Sequence, residues 1–184
     1  MTLVYLVQHG DRERQPGDPA LTELGREQAT RTGQWLKDTG VRSVWTSPLR
    51  RASETADCLA AVTGLAVRSD ARLRERLNWD GDVPLDDFLA AWAATTRDRD
   101  LVPAGGDSSR QAAARLRAFL TRLAPEQGPV AAVTHGGVTT DLLRDLVGDD
   151  RLPDGLLDAG VPPCAVTAVD GTRVVMIAST AHLA

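Results

Sequence analysis

Two of the three histidines in this chain stand directly past runs that read as buried strands. His9 closes the stretch LVYLVQH and His135 closes PVAAVTH, and glycine follows each of them. An imidazole at a strand exit can serve as nucleophile, acid or base, and the glycines let the backbone come close to a ligand. In an open α/β sheet, ligands bind beyond the carboxyl ends of the strands, so this placement gathers distant residues into one pocket. Two further stretches carry charge in comparable positions. TSPLRRASETA sets Arg50 and Arg51 at the start of a predicted helix, where acids rather than arginines complement the helix dipole. An anion held between guanidinium and helix end would account for them. LRER sets Glu75 between Arg74 and Arg76, a carboxyl group able to hold or release a proton. Singly, each has a plain structural reading: a core histidine, a solvated arginine pair, a surface charge cluster. His182, in the tail TAHL, has no such setting and reads as structural.

Positioning these groups falls to an alternation of short β-rich and longer amphipathic segments. Leu3–Val7, Val41–Trp45, Leu65–Arg68 and Val130–Thr134 read as strands. Thr22–Thr39, Pro48–Val62, Pro84–Thr96 and Ser108–Leu123 read as helices, and a further helix opens at Gly136-Gly137 with N–H groups free to meet an anion. Leu85, Phe88, Leu89 and Trp92 recur at helical spacing, and Leu116, Phe119, Leu120 and Leu123 repeat that stripe. Ser47-Pro48 predicts a cap with proline at the first helical position, and Ser108 with Gln111 predicts a capping box. Ala165–Val169 and Val174–Ala178 flank Asp170-Gly171, a hairpin turn. The pattern implies an α/β fold of three layers, α/β/α, with a mostly parallel central sheet. No repeat or linker divides it, so one domain over residues 1–184 is expected; Asp98–Asp107 reads as a loop.

Composition sets the outer bounds. Hydrophobic residues make up 42% and charged residues 25% of 184 positions, ordinary for a soluble chain that buries a core. A net charge of −4 speaks against nucleic acid as the main partner. No apolar run approaches the roughly 18 residues of a membrane span, so no membrane partner is expected. The first residues lack the basic start and long apolar stretch of a signal peptide, and a cytoplasmic enzyme is expected. Cys58 and Cys164 form neither a disulfide framework nor a metal motif and read as buried thiols. Of the 21 basic residues only Lys37 is a lysine, which leaves many planar guanidinium groups suited to phosphate or carboxylate.

Taken in order, QHG, SPLRRASETA, LRE, GGDS and THGG resemble the histidine phosphatase superfamily, in its phosphoglycerate mutase-like branch. LTELGREQA, VPPCAVT and the terminal AHL resemble that branch too, so the likeness covers nearly the whole chain. It implies a cofactor-independent phosphatase, with no metal, that hydrolyses a small phosphorylated metabolite through a phosphohistidine at His9. On that likeness a neutral nitrogen of His9 would face phosphorus while a carbonyl holds the other. Arg51, the second of its pair, would grip phosphate oxygens together with the residue at position 8. His135, as the imidazolium, would add positive charge to the phosphoryl group in flight. Glu75 would protonate the leaving oxygen and then activate water.

Two departures stand out. Gln8 occupies the place of the family's arginine, which removes a charge and a forked contact, and Arg12 or Arg14 could supply the missing guanidinium. Asp107 replaces the glutamate of the family's GGES loop. Trp79, Phe88 and Trp92 lie in the insert that covers the site in this family, as wall or as core. Two alternatives stay open: a phosphoglycerate-type mutase, which usually carries more lid sequence than Asn78–Asp107, and a low-turnover phospholigand-binding protein, suggested by Gln8.

Overall fold

Alternation of apolar side chains builds two cores, one on each face of a central sheet. In the computed structural model, which describes residues 2–184, β1 (Leu3–Gln8) sends Val4 and Leu6 to one side and Tyr5 and Val7 to the other. β4 (Val130–Thr134) divides likewise, with Val130 and Ala132 on the first side and Ala131 and Val133 on the second. Strands covered on both faces read as unbroken apolar runs, which is why these two were legible.

The other strands are β2 (Ser43–Thr46), β3 (Val67–Ser69), β5 (Val166–Asp170) and β6 (Arg173–Ser179). They complete a six-stranded sheet of order β3-β2-β4-β1-β5-β6. β1, β4, β2 and β3 run parallel, β5 runs antiparallel to β1, and β6 returns beside β5 through the expected hairpin. α1 (Glu23–Asp38) and α2 (Arg50–Thr63) cover one face, where Leu36, Ala52, Ala56 and Leu59 meet Val7, Val44 and Val133. α4 (Ser109–Arg122) and α5 (Gly136–Val147) cover the other with Leu116, Phe119 and Leu142. The expected three-layer, mostly parallel α/β architecture is therefore the observed one. α3 (Leu85–Arg97) and the short α6 (Leu156–Ala159) border the cavity described below.

Register does the positioning. β1 and β4 are neighbours with Gln8 opposite Thr134, so the next residues, His9 and His135, leave the sheet side by side. β2 pairs with β4 with Thr46 opposite Val133, which adds Ser47 to the same edge. The caps of α1 and α4 are as expected: the Thr22 hydroxyl accepts from Gly25 N–H, and the Ser108–Gln111 box is closed in both directions. Ser47 Oγ accepts from Leu49 N–H at 3.3 Å, as a cap would, but the helix does not begin there. α2 begins two residues later than expected, at Arg50, whose N–H donates to the Asp18 carboxylate at 2.8 Å, while the Ser47 hydroxyl is engaged with His135.

The two helical stripes have different destinations. Leu116, Phe119 and Leu123 are buried. Leu85 and Leu89 remain 46% and 51% exposed, and of α3 only Thr95 is fully buried. Periodicity reports that a face is apolar and says nothing of what it faces. Leu116→Ala is therefore expected to lower unfolding free energy by about 2–5 kcal/mol, and Leu89→Ala to change it by no more than about 0.5 kcal/mol. Urea unfolding of the two variants checks the contrast.

Candidate active site

His9 is held at both ring nitrogens. Its Nδ1 lies 2.8 Å from Gly10 O, and its Nε2 lies 3.2 Å from Arg51 Nε and 3.3 Å from the Gln8 amide nitrogen. A guanidinium N–H can only donate, so Nε2 carries the lone pair and Nδ1 carries the proton. Burial, then the neighbouring Arg51 charge, pushes His9 down to about 3, and the ring is neutral at any ordinary pH. The Gly10 segment that holds Nδ1 is itself anchored: Gly10 N–H donates to Thr55 Oγ1 at 3.0 Å, and Cys164 N–H donates to His9 O.

Arg51 is buried and donates to Asn78 Oδ1 at 3.1 Å, with Asp18 3.8 Å away. Arg12 borders the same cavity, and Arg14 does not, so of the two arginines considered to replace a guanidinium at position 8 only Arg12 is placed for it.

Glu75 is fixed by backbone donors. Its Oε1 accepts from Arg76 and Val138 N–H, both at 2.9 Å, and its Oε2 accepts from Gly137 N–H at 3.0 Å. The N–H groups of Gly137 and Val138, expected to be free for an anion, are thus taken by a carboxylate of the chain itself, as the helix dipole favours. The loop bearing Glu75 is clamped by Arg115, which donates to Arg72 O at 2.7 Å and Arg74 O at 2.9 Å. Asp107 binds that same guanidinium through Oδ2 at 2.7 and 2.9 Å, so the acid of the GGDS loop acts by orienting Arg115. Gly137 permits the arrangement: a Cβ there would stand 2.5 Å from both Glu75 Oε1 and the Trp92 ring.

His135 is fully buried behind this group. Its Nε2 lies 2.8 Å from Ser47 Oγ, its ring centre lies 5.3 Å from that of His9, and its Nδ1 has no partner among the described residues. It packs on the nucleophile candidate without lining the cavity. The imidazolium expected of it concerns the ring beside a phosphoryl group; without one its surroundings favour the neutral form. Burial, then the Arg51 charge, lowers its pKa well below the usual histidine value and keeps the ring neutral in the free site.

The cavity holds about 430 Å³. Gln8, His9, Arg12, Arg51 and Glu75 border it on the polar side, and Trp79, Phe88 and Trp92 form an aromatic wall with ring centres 6.4 and 6.1 Å apart. These three aromatics are wall rather than core. Arg76 reaches under the wall, stacking 4.1 Å from the Trp92 ring centre and donating to Asp141 Oδ1 at 2.8 Å and Thr96 Oγ1 at 2.7 Å. Burial outweighs the Arg76 charge at Asp141 and pushes that carboxyl up to about 6. Sequence reasoning passed over Ser47, Thr55, Asn78, Arg76, Asp141 and Arg115. Ser47 and Thr55 lay inside a quoted motif and Arg76 beside Glu75, which was the available signal; the other three had none. His182 is clear of the cavity, with Thr32 Oγ1 at 3.0 Å and the Trp35 ring beside it.

The sequence profile of the histidine phosphatase superfamily, branch 1, matches residues 4–175. The chain is 35% identical over 166 residues to a glucosyl-3-phosphoglycerate phosphatase of Mycobacterium tuberculosis, an alignment covering 78% of this chain and 74% of that protein. It is 33% identical over 165 residues to a probable phosphoglycerate mutase of Erwinia tasmaniensis, covering 80% of this chain and 76% of that one. Among solved structures, a mycobacterial glucosyl-3-phosphoglycerate phosphatase in complex with inorganic phosphate superposes with a TM-score of 0.80 at 30% identity, covering 100% of both chains.

Two outcomes follow from this geometry. Gly137→Ala should displace Glu75 and Trp92 together, lowering kcat for an alkyl phosphate by roughly 10²-fold while circular dichroism stays native; steady-state kinetics measures it. His9 and His135 should hold one protonation state between pH 5 and 8 in nitrogen-15 spectra, with His9 as the Nδ1–H tautomer. Both bind a proton more readily when unfolded, near pH ~6.5, so their contribution to stability is complete above that pH and declines as pH falls toward the folded values.

Proposed function

This chain belongs to the histidine phosphatase superfamily, and we propose on that premise that it hydrolyses a small phosphate monoester through a phosphohistidine at His9. The observation that carries the reading is the fixed tautomer of His9. One nitrogen is tied down by a backbone carbonyl, and the other offers a neutral lone pair between Arg51 and Gln8 at the wall of the cavity.

In the proposed step Nε2 attacks phosphorus as the bond to the ester oxygen breaks. The Arg51 and Gln8 N–H groups that now point at Nε2 pass to the phosphoryl oxygens, and Arg12 adds charge from the loop after β1. Positioning and charge stabilisation of this kind are most of what phosphoryl transfer requires. Glu75 Oε2 accepts only one N–H, so it retains a lone pair on which a proton for the leaving oxygen can sit. After the alcohol departs, the same carboxylate takes a proton from water as that water attacks phosphohistidine, releasing phosphate and restoring both residues. The buried His135 ring lies beside His9, with centres 5.3 Å apart, and the negative phosphoryl group would favour its protonation once bound.

The glucosyl-3-phosphoglycerate phosphatases among the relatives support hydrolysis, and a cavity with an aromatic wall beyond the phosphoryl end supports a leaving group larger than a simple alcohol. We read residues 1–184 as one domain of this kind. No helix among the described residues is long and apolar enough to cross a membrane. The unpaired Cys58 and Cys164 fit a cytoplasmic setting. Cys164 is fully buried as expected, whereas Cys58 is only half-buried.

The test is a pair of variants. His9→Ala should abolish both turnover and an acid-labile, base-stable phosphate label on the peptide that carries residue 9. Glu75→Gln should lose roughly 10²–10⁴-fold on alkyl phosphates and far less on nitrophenyl phosphate, whose leaving group needs no proton. Normal turnover in His9→Ala, or equal losses on both esters in Glu75→Gln, would contradict the assignment.

A further inference from the structure

Apolar side chains dominate the leaving-group side of the cavity. α3 turns Leu85, Phe88, Leu89 and Trp92 to it, and Leu157 of α6 and Val161 border it as well. Leu85 and Leu89 are 46% and 51% exposed, so much of their apolar surface is open to water. A ligand that covers it with apolar surface of its own removes both from water, which is favourable in proportion to the area covered. This side begins directly behind the acid candidate. The point where a Gly137 Cβ would stand lies 2.5 Å from both Glu75 Oε1 and the Trp92 ring. The first atoms beyond an ester oxygen at Glu75 therefore meet Trp92.

The cations on this side are already engaged within the protein. Among the described residues, Arg12, Arg51, Arg76 and Arg144 border the cavity. Arg51 and Arg12 belong to the phosphoryl end, beside His9. Arg76 is 3% exposed, donates to Asp141 Oδ1 and Thr96 Oγ1, and has the Trp92 ring over its face. Its unpartnered Nε is buried as well. Arg144 is 6% exposed; its Nε and one terminal nitrogen hold the Asp149 carboxylate at 2.8 and 2.7 Å, and the other donates to Thr96 O. Beside Leu85, α3 adds the carboxylates of Asp86 and Asp87. A second anionic group on the substrate would find no free cation here and would give up hydration unpaired.

Resting on the phosphatase reading above, we propose that the leaving group is an uncharged, apolar alcohol lying along α3, so that the phosphoryl group is the only charged part of the substrate. Leu85, Phe88, Leu89 and Trp92 then set specificity, while the reacting atoms stay with His9 and Glu75. A phosphoglycerate, which carries a carboxylate besides its phosphate, is the wrong kind of ester for this side.

Alkylphosphonates are the probes, because they share the shape and charge of phosphate esters but their C–P bond is not hydrolysed. Calorimetry on the full chain, at one pH, compares ethyl-, butyl- and hexylphosphonate. It also compares 3-methylbutylphosphonate with 3-phosphonopropionate, which is matched in size but ends in a carboxylate. In wild type, affinity should rise about two- to fourfold per added methylene, and the carboxylate should cost about tenfold or more. In Leu85→Ser/Leu89→Ser the hexyl-to-ethyl affinity ratio should drop by about fivefold or more. Both side chains are about half exposed, so that variant keeps its fold, as circular dichroism checks. Equal affinity for the ethyl and hexyl compounds in wild type, or tighter binding of 3-phosphonopropionate, overturns the proposal. An undiminished ratio in the double variant overturns the role of α3. Phosphate release from hexyl phosphate reads the phosphatase assignment separately. Hydrolysis with a flat chain-length series leaves that assignment standing and removes this one. A steep series without hydrolysis removes the phosphatase reading, and the leaving group with it.

Discussion

The hydrogen bond from His9 Nδ1 to Gly10 O is the interaction on which the site depends. It puts the proton on one nitrogen and thereby decides the direction of every neighbouring contact. Arg51 can then donate to Nε2, and the Gln8 amide must present its nitrogen rather than its oxygen. The carbonyl that makes this bond cannot drift. Gly10 N–H is tied to Thr55 in α2, and a Cβ on Gly10 would come within 2.5 Å of Gly25 O at the start of α1. Two helices on one face of the sheet thus set the tautomer of a ring at its edge.

Charge is distributed in the free site by exclusion of water. Two imidazoles are packed beside a buried guanidinium, and desolvation together with that like charge keeps both rings neutral. The start of α5, the natural seat for an anion, is given to Glu75. The acid candidate is consequently anchored by three backbone donors rather than by side chains that could rotate away. Gly137 allows it, since any larger residue would meet the carboxylate and Trp92 at once.

Much of this was legible before the structure, for local reasons. Thr22 and Ser108 announce the starts of α1 and α4 because a cap is a contact within four residues. β4 has the bounds expected of it because a strand covered on both faces is apolar from end to end. His9 and Arg51 draw notice because an imidazole at a strand exit and an arginine at a helix start are unusual there, whereas Gln8 and Glu75 are singled out by the resemblance of their motifs to the family. What could not be read were choices among distant partners. Ser47 Oγ accepts from Leu49 N–H, a contact local enough to be expected, and also meets His135, a partner that only the β2–β4 register brings within reach. Asp107 could have met the site directly; it meets Arg115 because α4 carries that arginine past the loop. The state of His135 depends on how deeply it is buried, which no spacing reports.

The apolar stripe of α3 shows how such a cavity keeps a wall that is not part of a core. A helix with Leu85 and Leu89 about half exposed gains little from burial, so other contacts must hold it. They are polar and lie at its far end. Arg76 donates to Thr96 and stacks on Trp92, Arg144 donates to Thr96 O at 2.8 Å, and Asp141 and Ser109 link Arg76 to α5 and α4. Hydrogen bonds of this kind demand one geometry, whereas apolar contacts tolerate sliding. The helix is therefore pinned at its last two turns, and its first turns are free to present Leu85, Phe88 and Leu89 to the cavity instead of to the sheet. Because Arg76 follows Glu75 directly, and α5 binds the Glu75 carboxylate through its first turn and Arg76 through Asp141 one turn later, the same helix fixes the acid candidate and the aromatic wall. The side of the cavity that faces a leaving group and the group proposed to protonate it are thus set by one rigid element.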